Sequence, residues 1–421
     1  MTVDFETSVT QAGDRAIKDM IAFSAGRILD GLGRGRLKAM ILTGAMTMGE
    51  GTVRVRPDGT ITILSDLDLY LVVAPGVPLA DMKRRASETA RALRAEVPEA
   101  RVASSFDLAA VSQRELTDAE PAIGTIDLRN RGRVIWGEDV LAALPPLDPA
   151  SIPARDAVTL IHNRIVEELL YGPPAQAGSD EMTLYHSAKT GADMALAVLV
   201  LLGEYRPTYR ERAERLREVW GGPALEWLRR RDPAFPERVE ACSAYKIAGD
   251  PARLHPLVGD ADGATAPRRL WSALIPTVES VWTWAVRRST QTDEEDPLRL
   301  VERMGKTETR REKLRGWRAA RRRGDLGWGP RSLWRAARGV TRGSPLLRMY
   351  AAGSLIYFGS PARNGALPGP EARAAYLKHA RQLIPFAPPS GTRAVDETER
   401  WESARKTVVD YWKRVVMRGM R

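Results

Sequence analysis

Cysteine is almost missing from this chain. Cys242 stands alone among 421 residues, so an intramolecular disulfide and a cysteine metal cluster are both excluded. Histidine is nearly as scarce, with four residues, and neither His186 nor His255 has acidic neighbours at metal-ligand spacing, which argues against zinc. No uncharged apolar run reaches the roughly 18–20 residues that a bilayer-spanning helix needs. The longest runs, MALAVLVLLG (194–203) and MYAAGSLIYFG (349–359), are too short and are expected as buried helices. The opening stretch MTVDFETSVTQAGDRAIKDM carries acidic residues and no apolar centre, unlike a signal peptide. A reducing, cytoplasmic setting is therefore expected.

What is present is ordinary in bulk. A composition 43% hydrophobic and 28% charged is that of a globular protein, and this length suits roughly two or three cores. The net charge of +11 is uneven, because residues 301–350 hold 15 Lys/Arg against 4 Asp/Glu. That segment interleaves Trp317, Trp328 and Trp334 with its arginines. Basic residues with aromatic stacking platforms suit RNA, single-stranded DNA or another polyanion; a solvated helix face anchored by its tryptophans is the alternative. Two Arg-x(4–6)-His matches, Arg155 to His162 and Arg373 to His379, are expected by chance in a chain with 54 arginines.

Hydrophobic spacing divides the chain. Ala16, Ile17, Met20, Ile21, Ile28 and Leu29 recur at helical steps, and GLGRGR (31–36) ends that helix. A strand is expected at 37–44 and a hairpin around Pro57-Asp58-Gly59 within 52–64. A helix at 78–97 and strands at 101–112, 122–130 and 132–139 follow. After the proline-rich ALPPLDPASIP (143–153) the strands stop. Helical spacing then dominates at 154–172, 180–205, 208–221, 268–289 and 397–419.

The most informative stretch is ILSDLDLYLVV (63–73). In a strand, alternate side chains share a face, so Asp66 and Asp68 project together while Leu67 and Leu69 pack opposite. Carboxylates that close repel, and leaving either unpaired in a partly dry site costs on the order of several kcal/mol. A divalent cation between them resolves both problems.

A glycine closing the first strand (Gly44), an Asp-x-Asp on the next main strand and a carboxylate on a third strand together resemble the nucleotidyltransferase fold of the DNA polymerase β superfamily. The nearest flavour is the bacterial small nucleotidyltransferases, including those that modify aminoglycosides. Gly44-Ala45, a spacer at 46–64 and Ser65-Asp66-Leu67-Asp68-Leu69 carry the match, which covers about residues 37–140. Residues 185–216 are similar to the first long helix of the substrate domain attached to such enzymes. The resemblance implies an α+β fold, with a mixed-sheet catalytic domain at 1–150 and an all-helical domain at 151–421, subdivided near 250–268.

It also implies Mg²⁺-dependent transfer of a nucleoside monophosphate from a nucleoside triphosphate to an acceptor hydroxyl, with two Mg²⁺ ions. Asp66 and Asp68 would be metal ligands, and Asp107 in SSFDLAAVS the third ligand or the base, with Asp127 in TIDLRN as the alternative. Gly44 and Ala45, with Ser65 beside them, would bind the nucleotide. Lys189 would neutralise the β- and γ-phosphates, or else be a surface lysine on an amphipathic helix. The acceptor is open: a small molecule, an RNA end, a protein hydroxyl or a second nucleotide. Ala45 departs from the family's serine, leaving backbone amides and neighbouring Thr43 or Thr47. The hairpin lengthens the spacing from Gly44 to Asp66 and brings Glu50 into reach of the site. These departures keep a second function open, a catalytically weakened binding or antitoxin-like protein that grips RNA or another polyanion with 301–350.

Overall fold

The computed structural model describes residues 3–98, 101–102, 105–172, 180–259, 265–323, 343–363, 369–384 and 396–417. The architecture is α+β: a small mixed sheet flanked by helices, then helices alone. Trp328 and Trp334 of the basic segment lie outside the described residues.

The first helix, α1 (Gln11–Leu32), starts where the Thr10 hydroxyl accepts from the Gly13 amide at 3.1 Å. It ends at Gly33, whose φ of +89° lets its amide close on the Leu29 carbonyl. Its Ile17, Ile21, Ile28 and Leu32 are fully or almost fully buried against the sheet. The sheet runs in the order β5-β4-β1-β6, with β1 (Leu37–Thr43), β4 (Leu67–Val73), β5 (Phe106–Val111) and β6 (Arg133–Gly137). β1 is antiparallel to both β4 and β6, whereas β4 and β5 are parallel. The parallel pair is joined by the crossover helix α2 (Leu79–Glu96), as such a connection requires.

Alternation in β4 is as expected. Leu67, Leu69 and Leu71 are buried in the core shared with α1 and α2, while Asp68 and Tyr70 face the other way, half-buried. The strand is shorter than the sequence predicts. β2 (Val53–Val55) and β3 (Ile61–Ile63) form a separate two-stranded hairpin, and the chain bends at 64–66 before β4. Leu64 accounts for the bend: it is fully buried, but in a core with Tyr185, Cys242 and Tyr245 of the helical region.

TIDLRN is a correction. The strand expected at 122–130 is the helix α4 (Ile123–Arg131). Its Ile126 packs into the helical core and its Leu128 against the outer face of the sheet. A helix wedged between two layers buries both sides, and its apolar residues two apart then imitate a strand. The strand expected at 101–112 is shorter, beginning at Phe106.

Beyond residue 150 the core is built on α5 (Ala154–Tyr171), α6 (Asp180–Leu202), α9 (Phe235–Ala248), α11 (Ala266–Thr290) and α14 (Pro345–Phe358). Residues 194–201 and 349–358 are buried throughout, so both apolar runs are buried helices. Gly191 lets α6 approach α9, because a Cβ there would lie 2.5 Å from Cys242 Sγ. The last helix of this core, α16 (Glu397–Trp412), returns to α5. Among the described residues, no helix is long and apolar enough to cross a membrane.

Candidate active site

Parallel pairing of β4 with β5 sets Asp68 directly opposite Asp107, and antiparallel pairing of β4 with β1 sets Thr43 opposite Asp68 on its other side. Gly44, the next residue, has φ +82° and ψ −163°, a conformation open essentially to glycine alone. A Cβ at this position would stand 2.8 Å from Asp68 Oδ2. Glycine is therefore needed here twice, for its backbone and for the close approach of the carboxylate.

Asp66 sits one residue before β4. Its Oδ1 accepts from the Ser105 hydroxyl at 3.1 Å and from the Ser105 amide at 3.3 Å. The same hydroxyl lies 2.9 Å from Asp107 Oδ2, so Ser105 ties two of the three carboxylates together. Lys189 Nζ of α6 donates to Asp66 Oδ2 at 2.9 Å. Asp66, Asp68 and Asp107 thus converge, and all three line one cavity of about 350 Å³, a size suited to a small ligand.

The other walls come from helices. Ser87, Ala90, Arg91 and Arg94 line it from α2; Asn163, Arg164, Glu167, Leu170 and Tyr171 from α5; His186 and Lys189 from α6; Trp412 from α16. On α5, Glu167 Oε2 is 2.5 Å from Arg164 Nη1 and 3.5 Å from His186 Nδ1. The His186 ring stacks on Tyr171 with centroids 3.7 Å apart. None of the α5 residues was picked out by sequence reasoning. Their signal was present as one polar stripe, Asn163, Arg164, Glu167 and Tyr171, at helical spacing.

The electrostatics divide the carboxylates of the site. Burial, reinforced by Asp66 and Asp107, pushes the Asp68 carboxyl up to about 8. Burial and then Asp66 push Asp107 up to about 6, against the Ser105 hydrogen bond. Asp66 is buried too, but Lys189 overrides that and holds its carboxyl well below the usual range. Burial likewise opposes the charge on Glu167, and Arg164, Lys189 and His186 outweigh it, bringing that carboxyl down to about 2.

An oxygen-only, anionic donor set of this kind fits a hard divalent cation such as Mg²⁺. Among the described residues, no three His, Cys, Asp or Glu side chains are already grouped closely enough to hold a metal ion. Lys189 is a cation in direct hydrogen-bond contact with one of the three carboxylates, Asp66.

Other expected residues are placed as follows. Ser65 is buried away from the cavity, its hydroxyl accepting from the Thr52 amide at 2.8 Å and donating to Thr52 Oγ1 at 3.2 Å. Ala45 packs beside the core of Leu64 and Tyr185. The Thr47 hydroxyl turns back to the Gly44 carbonyl at 2.9 Å. Glu50 does not line the cavity; its carboxylate caps α7 (Tyr209–Trp220), accepting from the amides of Tyr209 and Arg210 at 2.7 and 3.2 Å. Asp127, on α4, accepts from the Tyr205 hydroxyl and is also outside the cavity lining. His162 is buried, accepting from Trp282 Nε1 at 3.0 Å, while Arg155 pairs with Glu120 at 3.4 Å, so this Arg/His match forms no site.

No family model matches the chain, and no curated protein matches it. Among solved structures it is similar to the spectinomycin adenyltransferase AAD(9) from Enterococcus faecialis, crystallised with ATP and spectinomycin. The two share 12% identity at a TM-score of 0.35, over 63% of this chain and 98% of that one. At that level of similarity, residue roles rest on geometry alone.

Proposed function

We propose that this chain is a nucleotidyltransferase, moving a nucleoside monophosphate from a nucleoside triphosphate to an acceptor hydroxyl with release of pyrophosphate. The observation that carries this reading is the pairing of Asp68 with Asp107 at a cavity, with Gly44 against one carboxylate and Asp66 one turn of the chain away. Residues 1–150 are read as the catalytic domain and residues 151–421 as the helical domain that closes the acceptor side.

Asp66, Asp68 and Asp107 would hold Mg²⁺, two ions in the arrangement the resemblance implies. When bound, such ions steady the triphosphate and lower the pKa of the attacking hydroxyl. The chain's own residues do the rest. The Gly44–Ala45 turn offers backbone amides to the phosphates, with Ser65 bracing the strand end behind it through Thr52. Asp107, whose carboxyl burial lifts to about 6, would take the acceptor's proton in its ionised form. Lys189 balances Asp66 and lies at the cavity wall, where a triphosphate would meet it. The acceptor occupies the space between β5, α2 and α5, and Trp412 of α16 helps keep water from it.

Calorimetric titration with ATP, GTP, CTP and UTP, with and without Mg²⁺, tests the proposal. Mg²⁺-dependent binding of at least one triphosphate, lost in Asp68→Asn, is expected. Binding that ignores Mg²⁺ and the substitution, or no binding, overturns it.

A further inference from the structure

The cavity leaves unused a strongly basic helix, α13 (Arg310–Arg322). Its buried side consists of Trp317 and Ala320. Trp317 is 5% exposed and its indole N–H donates to the Gly343 carbonyl at 3.0 Å. This tryptophan anchors the helix and offers no face to a base, so the stacking half of the sequence expectation is lost at this position.

The outer side is cationic, with Glu312 in favourable electrostatic contact with Arg315. Arg311, Arg315, Arg318 and Arg322 recur at four-, three- and four-residue steps, which places them in one stripe opposite Trp317 and Ala320. All four are exposed, and none has an ion pair among the described residues. Two nearby acids are engaged by hydrogen bonds of their own. Glu312 folds back to accept from the Thr309 amide and hydroxyl at 2.7 and 2.8 Å, and Glu308 accepts from the Ser344 amide and hydroxyl at 2.5 and 2.6 Å. At 1.5 Å of rise per residue the stripe is about 16 Å long.

We propose that this stripe is a docking surface for the phosphate backbone of a double-helical nucleic acid. Four guanidiniums in a row, none ion-paired among the described residues and with the Trp317 ring buried beneath them, match a regular ladder of phosphates better than splayed single-stranded bases. A lipid surface is the poorer fit. Interfacial helices insert an apolar face, and the apolar face of α13 is already spent on the protein core, leaving Leu314 as its one large exposed apolar side chain. Binding is sequence-independent, because backbone contacts carry no base information.

The test compares the full chain with the variant Arg311→Gln/Arg315→Gln/Arg318→Gln/Arg322→Gln, by fluorescence anisotropy. The probes are a 20-base-pair RNA duplex, a DNA duplex of the same length, the corresponding single strands and vesicles of anionic phosphatidylserine. Thermal unfolding checks that the variant is folded. Wild type is expected to bind at least one duplex more tightly than the single strands or vesicles. Its log–log salt slope should be steeper than the variant's by about three to four, and its affinity at low salt at least about tenfold greater. Preference between the two duplexes identifies the natural partner. No duplex binding, equal affinity and slope in the variant, or stronger binding to single strands or vesicles each overturns the proposal. Because the readout uses no triphosphate, it is independent of the nucleotidyltransferase reading.

Discussion

Asp68 on β4 faces Asp107 on β5 across a parallel pairing, residue to residue, in a half-buried site. Like charges so placed are costly to the fold, and a chain that keeps them gains nothing in stability from doing so. Removing one should therefore separate function from stability. Asp68→Asn is expected to abolish nucleotidyl transfer, by about 10³-fold or more, while leaving the protein as stable or up to about 2 kcal/mol more stable. Pyrophosphate release and denaturant unfolding in a chelator measure the two effects.

The same repulsion sets a pH dependence. Asp68 and Asp107 titrate at about 8 and about 6 in the folded protein, against 3.8 as the ordinary value. Between roughly pH 4 and 8 these two groups hold more protons in the folded state than in the unfolded one, so their contribution to stability falls as pH rises. In chelator, the gap by which Asp68→Asn exceeds wild type should widen from pH 5 to pH 8.5. Mg²⁺ should raise the wild-type melting temperature more at pH 8.5 than at pH 5. Differential scanning calorimetry at both pH values reads each trend.

Lys189 and Asp66 form a close ion pair inside the site, at 2.9 Å with side chains 15% and 21% exposed. Lys189→Met leaves Asp66 in the cavity without its cation and should cost about 2–3 kcal/mol, somewhat below a fully buried pair because the cavity admits water. Adding Asp66→Asn should restore most of that loss. A double-mutant cycle by urea unfolding checks it.

Gly44→Ala combines a glycine-only backbone conformation with a Cβ 2.8 Å from Asp68 Oδ2. A loss of about 1–3 kcal/mol is expected, with transfer activity falling by more than the stability change explains, since the contact is with a site carboxylate. Thermal unfolding and pyrophosphate release, measured on the same preparation, separate the two.

Much of this was legible in the order of residues. Asp66 and Asp68 stood out as a close pair, although Asp66 lies on the bend before β4 and not in the strand, and Asp107 stood out as a lone carboxylate between Phe106 and Leu108. Helical spacing outlined α2, α5 and α11 closely. What escaped depended on contacts that local pattern does not encode. α4 imitates a strand because Ile126 and Leu128 serve two different cores. Glu50 neighbours the site in sequence, yet is claimed by the amides that open α7. The wall supplied by Arg164, Glu167 and His186 exists only once α5 and α6 pack over the sheet edge. Trp317, charged with stacking by its basic neighbours, is an anchor because Gly343 offers its carbonyl to the indole.

The central claim is that the acidic side chains at 66, 68 and 107 share divalent cations. Crystals grown with Mn²⁺ and a non-hydrolysable triphosphate, measured at the manganese absorption edge, test it most directly. The account predicts anomalous peaks at about 2.1–2.2 Å from oxygens of all three aspartates, with Lys189 withdrawn from Asp66 toward the phosphates. Peaks elsewhere, or a nucleotide bound with Lys189 still on Asp66 and no metal, would contradict it.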